Sequence, residues 1–139
     1  MKIVLDTNIL ISALVFGGKP RTILEFIIIE KKLTGIISKA AFDELLGVLR
    51  VKFKYSPSQL FKIEKLIEEN FIIINPPNIP KIIKEDDFDN QFLAMVDETT
   101  IDYIISGDNH LLKIKIYKDV PIIPPHYFVD KILSHPDVE

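Results

Sequence analysis

At 139 residues the chain has one domain's length, and it holds no cysteine. Disulfides, zinc–thiolate sites, iron–sulfur clusters and thiol nucleophiles are thereby excluded, and an apolar content of 47 % with 27 % charged residues excludes a disordered chain. The longest apolar runs, such as Phe26 to Ile29, fall far short of the ~20 residues a membrane span needs, and Asp6 interrupts any signal-peptide core. The expectation is a soluble, cytoplasmic protein with a single domain over residues 1–139 and no membrane partner.

The net charge of −3 hides an asymmetry, since residues 1–84 balance to +5 and residues 85–139 to −8. Residues 85–108 carry eight acids and no base. A pI near 5.6 gives no electrostatic footprint for nucleic acid by itself. A solvated acidic face produces such a bias, and so does a site that gathers carboxylates around a cation.

No repeat or Gly/Ser linker divides the chain, which alternates short β-branched runs with amphipathic stretches. Ile3-Val4-Leu5 reads as a first strand, with Asp6 or Thr7 placed to cap the helical run from Ile9 to Leu14. Gly17-Gly18-Lys19-Pro20 is a break, and Pro20 suits the first turn of a helix ending near Lys32. Gly35-Ile36-Ile37 is a second strand, and Ser38 caps a helix to about Phe53. Ser56-Pro57-Ser58 opens another helix, whose apolar positions Leu60, Ile63, Leu66 and Ile67 have helical spacing. Phe71 to Ile74 is a strand stopped by Asn75-Pro76-Pro77, and Asp89 or Asn90 starts a helix through about Glu98. Ile101 to Ile105 is the next strand, and Ser106-Gly107-Asp108 turns the chain. Val120 to Ile123 reads as an edge strand, because Pro121 cannot donate to a ladder.

Strands apolar on both faces and alternating with helices predict a parallel sheet covered on each side. In such folds ligands sit beyond the carboxyl ends of the strands. Asp6 and Asp108 directly follow predicted strands there. Asp89, at a helix start, and Glu44, two turns into the helix capped by Ser38, lie on helices beginning at the same edge. Four carboxylates gathered closely would repel one another unless a cation neutralised them. Oxygen donors without His or Cys suit Mg²⁺ or Mn²⁺. Taken singly, Glu44 also reads as a solvated helix position and Asp108 as a cap. Asp102 is expected to cap the opposite end of its strand, with Asp97 and Glu98 on the surface. His110, His126 and His135 show no metal-ligand spacing and read as surface or packing residues. Lys19, Arg21, Arg50, Lys52 and Lys54 are candidates for a basic pocket rim on composition only.

The strings Ile3 to Leu10 (IVLDTNIL), Ser38 to Leu46, Asp89 to Ala94 (DNQFLA) and Asp102 to Asp108 (DYIISGD) together resemble the PIN-domain family. Within it they are similar to the toxin components of toxin–antitoxin systems, relatives of VapC-type ribonucleases. The resemblance runs in order over nearly the whole chain. It implies a three-layer α/β/α fold with a central parallel sheet of four or five strands. It further implies a pocket binding Mg²⁺ or Mn²⁺ and metal-dependent cleavage of single-stranded RNA to a 5′-phosphate and a 3′-hydroxyl. Carried over by motif, the acids are Asp6, Glu44, Asp89 and Asp108, with Asn8 orienting Asp6 and Ser106 as the hydroxyl residue before the last acid. Asp86, Asp87 and Asn90 compete with Asp89, which is chosen because it can point back from the helix start toward the strand ends.

The resemblance also implies an antitoxin partner and a homodimer, and a mean hydropathy of +0.22 agrees with a buried interface on the helices of the first half. RNA-processing and decay nucleases, or a non-catalytic partner-binding module, are the alternatives on the same fold. A haloacid-dehalogenase-like phosphatase needs a second Asp where Asn8 stands. A phosphoacceptor receiver needs an Asp after the strand Phe71 to Ile74, and none is there.

Overall fold

In the computed structural model, which describes residues 1–84 and 87–134, the first apolar run forms β1 (Lys2–Leu5) and leads into α1 (Thr7–Ile11). A wider π-type turn over Ser12–Phe16 follows, then α2 (Gly18–Ile28), β2 (Thr34–Ser38), α3 (Lys39–Val51) and α4 (Pro57–Asn70). The second half builds β3 (Phe71–Ile74), a 3₁₀ turn at Asp87–Asp89, α5 (Asn90–Glu98) and β4 (Tyr103–Ile105). It ends in α6 (Asn109–Leu112), β5 (Ile116–Tyr117), β6 (Val120–Ile123) and α7 (Pro125–Tyr127), the last continued by a π-type turn over Phe128–Leu133.

The strands form one sheet in the order β3-β2-β1-β4-β6-β5, flanked by helices in an α/β/α arrangement. Five strands run parallel, and β5 adds a short antiparallel sixth beyond the four or five expected. The central strands bury both faces: Ile3, Val4 and Leu5 of β1, Ile36 and Ile37 of β2, and Ile104 and Ile105 of β4 are all essentially inaccessible. Side chains of this kind stabilise the fold by about 1.5–3 kcal/mol each when taken from water. Gly35 is required where β2 meets β3, because a Cβ there would fall 2.4 Å from the Phe71 ring.

Caps set the boundaries. Ser38 accepts from Ala41 N to start α3, and Ser56 with Gln59 forms a reciprocal capping box on α4. The helix from Gly18 stops at Ile28, four residues before the sequence expectation. There Lys31 takes a positive φ, and both Lys32 N and Leu33 N donate to Phe26 O, turning the chain into β2. The strand expected from Ile101 begins at Tyr103, because Asp102 exchanges bonds with Lys2 at the amino ends of the two strands. The expected edge position of β6 is corrected, since β5 covers its free side. Pro121 is accommodated because its neighbours carry the ladder: Ile122 N donates to Lys115 O on one side, and Ile123 O accepts from Ser106 N on the other. No helix among the described residues is long and apolar enough to cross a membrane.

Candidate metal centre

The sheet order reverses direction at the centre: from β1 the chain moves out through β2 to β3, then returns to place β4 on the other flank of β1. Such a switch point opens a crevice at the carboxyl ends of the two central strands. Leu5 and Ile105 are paired in register there, so the residues that follow each strand emerge side by side.

Asp6 follows β1 and is 3 % exposed. One carboxylate oxygen accepts from Ile9 N at 2.8 Å, which caps α1, and the other accepts from the buried Ser106 Oγ. Ser106 Oγ in turn accepts from Asp108 N at 2.9 Å, so a single hydroxyl ties the turn after β4 to the acid after β1. Burial is the main influence on Asp6 and raises its proton affinity, as does the charge of Asp108; the bonds from Ser106, Ile9 and Gly107 oppose this. Asp108 caps α6 through His110 N at 2.7 Å. Asn8 lines the same pocket with its side chain exposed, and the bonds that orient Asp6 come from Ser106 and the backbone.

Asp89 comes from the 3₁₀ turn before α5 and is 7 % exposed. Its neighbours fix that turn. Asn90 is fully buried, accepts from Ile82 N and Ile83 N, and donates to Ile83 O and Asp87 Oδ1. Gln91 accepts from Ser38 Oγ and donates to Phe88 O, tying the turn to the end of β2. Of the competitors for the third acid, Asn90 is committed to this clamp and Asp87 is exposed beside it. Asp86 lies outside the described residues, as does His135.

Glu44 is half-buried on α3, one residue beyond Asp43, which pairs outward with Lys39 at 2.6 Å. Asp6, Thr7, Asn8, Glu44, Val48, Phe88, Asp89, Phe92 and Asp108 line one cavity of about 200 Å³. The four acids named from sequence thus share one pocket. Phe88 and Phe92 pack edge to face in its wall, and Thr7 Oγ1 is buried there without a hydrogen-bond partner. A larger groove of about 500 Å³ runs between α3 and α4, where Arg50 sits among Asp43 and Glu64 and no such set of acids converges. We take the smaller, acidic cavity as the site.

No lysine or arginine is among the described residues lining that cavity. Lys19 pairs with Asp130, Arg21 donates to Ala13 O and Leu14 O within the π-type turn, and Lys52 lies over the Phe53 ring. These basic residues serve packing and caps rather than the pocket lining.

His110, read from sequence as a surface or packing residue, is partly exposed and also stands beside the site. Asp89, Asp108 and His110 each offer a ligand atom, and the three atoms lie within 4.8 Å of one another. The only sequence signal was its place two residues after Asp108, on the turn that the capping carboxylate closes. A buried carboxylate at Asp6 next to this donor set fits a divalent cation, whose charge would relieve the acids' repulsion.

The PIN-domain sequence profile matches residues 2–110, a span that holds all four acids and His110. A protein of Methanocaldococcus jannaschii, itself described as uncharacterised, is 32 % identical over 120 residues covering 83 % of this chain and 76 % of that protein.

Proposed function

The chain belongs to the PIN-domain family, a nuclease-type fold, and on that premise we propose that its acidic pocket is the active centre of a Mg²⁺- or Mn²⁺-dependent endoribonuclease acting on single-stranded RNA. The observation that carries this reading is the convergence of Asp6, Glu44, Asp89 and Asp108 from four separate elements on one cavity.

Asp89 and Asp108, with Asp6 behind them, would hold the cation. When bound, it supplies positive charge against the scissile phosphate and makes water a competent nucleophile at neutral pH. The chain's own residues do the rest. Ser106 and Ile9 N fix the Asp6 carboxylate so that it spends no freedom on organising the site. Glu44, on the accessible wall, orients the attacking water or completes the donor set. The Thr7 hydroxyl and the Asn8 amide can donate to phosphate oxygens, while Phe88 and Phe92 keep bulk water from one side. Hydrolysis leaves the phosphate on the 5′ end of one fragment and a 3′-hydroxyl on the other.

The same reading makes the protein the toxin of a toxin–antitoxin pair, self-associated as a homodimer in the cytoplasm. Phe16 at 72 % exposure and Phe61 and Val51 at 58 % support an apolar partner surface on the first-half helices. Cleavage of labelled single-stranded RNA by wild type and Asp6→Asn, with Mg²⁺, Mn²⁺ or EDTA, tests the activity. Wild type should cut only with metal, and Asp6→Asn should lose about a hundredfold or more of that rate. No cleavage with either metal, by folded protein that binds Mn²⁺, would overturn the nuclease reading.

A further inference from the structure

The acids account for a hard, all-oxygen site, but they are not the only donors at it. His110 stands in the first turn of α6, two residues after the capping Asp108, and Leu111 beside it is fully buried, which fixes the direction of this short segment. Its side chain is partly exposed, but Nδ1 is buried, lacks a hydrogen-bond partner and lies 3.5 Å from Asp108 Oδ1. The imidazole also contributes a nitrogen to the donor set that closes on Asp89 within 4.8 Å. Donors that share one small divalent cation stand roughly 3 Å apart, so these three would draw together from separations of up to 4.8 Å to hold it. The Thr7 hydroxyl, which lines the adjoining pocket with Asp89 and Asp108, is a second buried polar group without a hydrogen-bond partner.

We propose that His110 Nδ1 is a direct ligand of the cation held by Asp89 and Asp108, which makes this site prefer Mn²⁺ and the later first-row divalent ions over Mg²⁺. The assignment rests on the metal-centre reading above and adds a nitrogen donor to it. Imidazole binds borderline ions well and Mg²⁺ poorly, while carboxylates serve both, so a mixed set shifts selectivity without abolishing Mg²⁺ binding. Leu111 and the Asp108 cap fix the backbone that carries the ring before any ion arrives.

The test is pulsed electron paramagnetic resonance of Mn²⁺ bound to the full chain, read for coupling to an imidazole nitrogen. Wild type should show the coupling, His126→Ala should keep it, and His110→Ala should lose it. In competition titrations His110→Ala should weaken Mn²⁺ binding by about tenfold or more, and Mg²⁺ binding by less than about threefold. His110→Gln, which keeps a polar side chain of similar reach, should match His110→Ala. Bound Mn²⁺ without nitrogen coupling in wild type would overturn the His110 assignment alone. Absence of Mn²⁺ binding by folded wild type would overturn the metal centre itself, and this assignment with it.

Discussion

Asp6 concentrates the tension of the site in one side chain. Its carboxylate is buried, and desolvation raises its proton affinity more than three hydrogen bonds lower it. The fold therefore favours the neutral form. The stability this gives is fully present below the ordinary carboxylate value of 3.8 and is lost as pH rises through the folded-state value. At neutral pH the metal-free fold bears the cost of burying an ionisable carboxyl, which unfolding would relieve. Asp6→Asn removes that ionisable group with little change of shape. In EDTA at pH 7 it should be more stable than wild type to urea, by on the order of 1 kcal/mol, with the gain shrinking as pH falls toward 4. A variant less stable than wild type at every pH would mean that the bond from Ser106 outweighs burial. Stability gained and activity lost by the same substitution is the pattern expected of a functional residue rather than a cap.

Among the elements, the turn before α5 decides whether Asp89 is presented at all. Asn90 makes four side-chain hydrogen bonds that clamp residues 82–83 and Asp87 to the helix start. Asn90→Ala should strand buried backbone groups and cost about 3 kcal/mol in chemical denaturation, and it should also weaken metal binding by letting Asp89 move. Unchanged metal affinity in a destabilised variant would show that Asp89 is held without the clamp. The clamp also marks where the sequence stopped being readable. Asp6 and Asp108 were legible because a polar residue ending an apolar run needs no knowledge of the partner strand, and Ser38 and Ser56 were legible as caps for the same local reason. What sets Asn90 apart from Asp87 and Asp89 is its bonds to residues seven and eight positions back, which no periodicity encodes. The inner position of β6 escaped notice likewise, since β5 is two residues long and its pairing with Pro121 and Val120 depends on a tight return. The nearness of His110 to Asp89 is not legible in the sequence, because the two are twenty-one residues apart in number and adjacent only in space.

For the whole molecule, the sheet's switch point turns a charge bias into a stored instability. Asp6 after β1, Glu44 on α3, Asp89 before α5 and Asp108 after β4 are brought together by the packing of the entire core, so their repulsion is borne by the global fold and not by one segment. A cation that binds only the folded chain relieves it and must raise global stability. At a hundred times its Kd, the added stability is about 2.7 kcal/mol, which for a chain of this size raises Tm by roughly 5–10 °C. Thermal unfolding with and without Mn²⁺ at pH 7 should show that rise, and EDTA should reverse it. At pH 4 the rise should fade, because protonated carboxylates neither repel one another nor bind the ion. Asp108→Asn should shrink the Mn²⁺-dependent rise, while Lys118→Ala, whose ion pair with Asp97 lies outside the pocket, should leave it intact. An equal rise in wild type and Asp108→Asn would place the ion elsewhere on the acidic surface, and with it would go the argument that the fold gathers these four carboxylates to hold a metal.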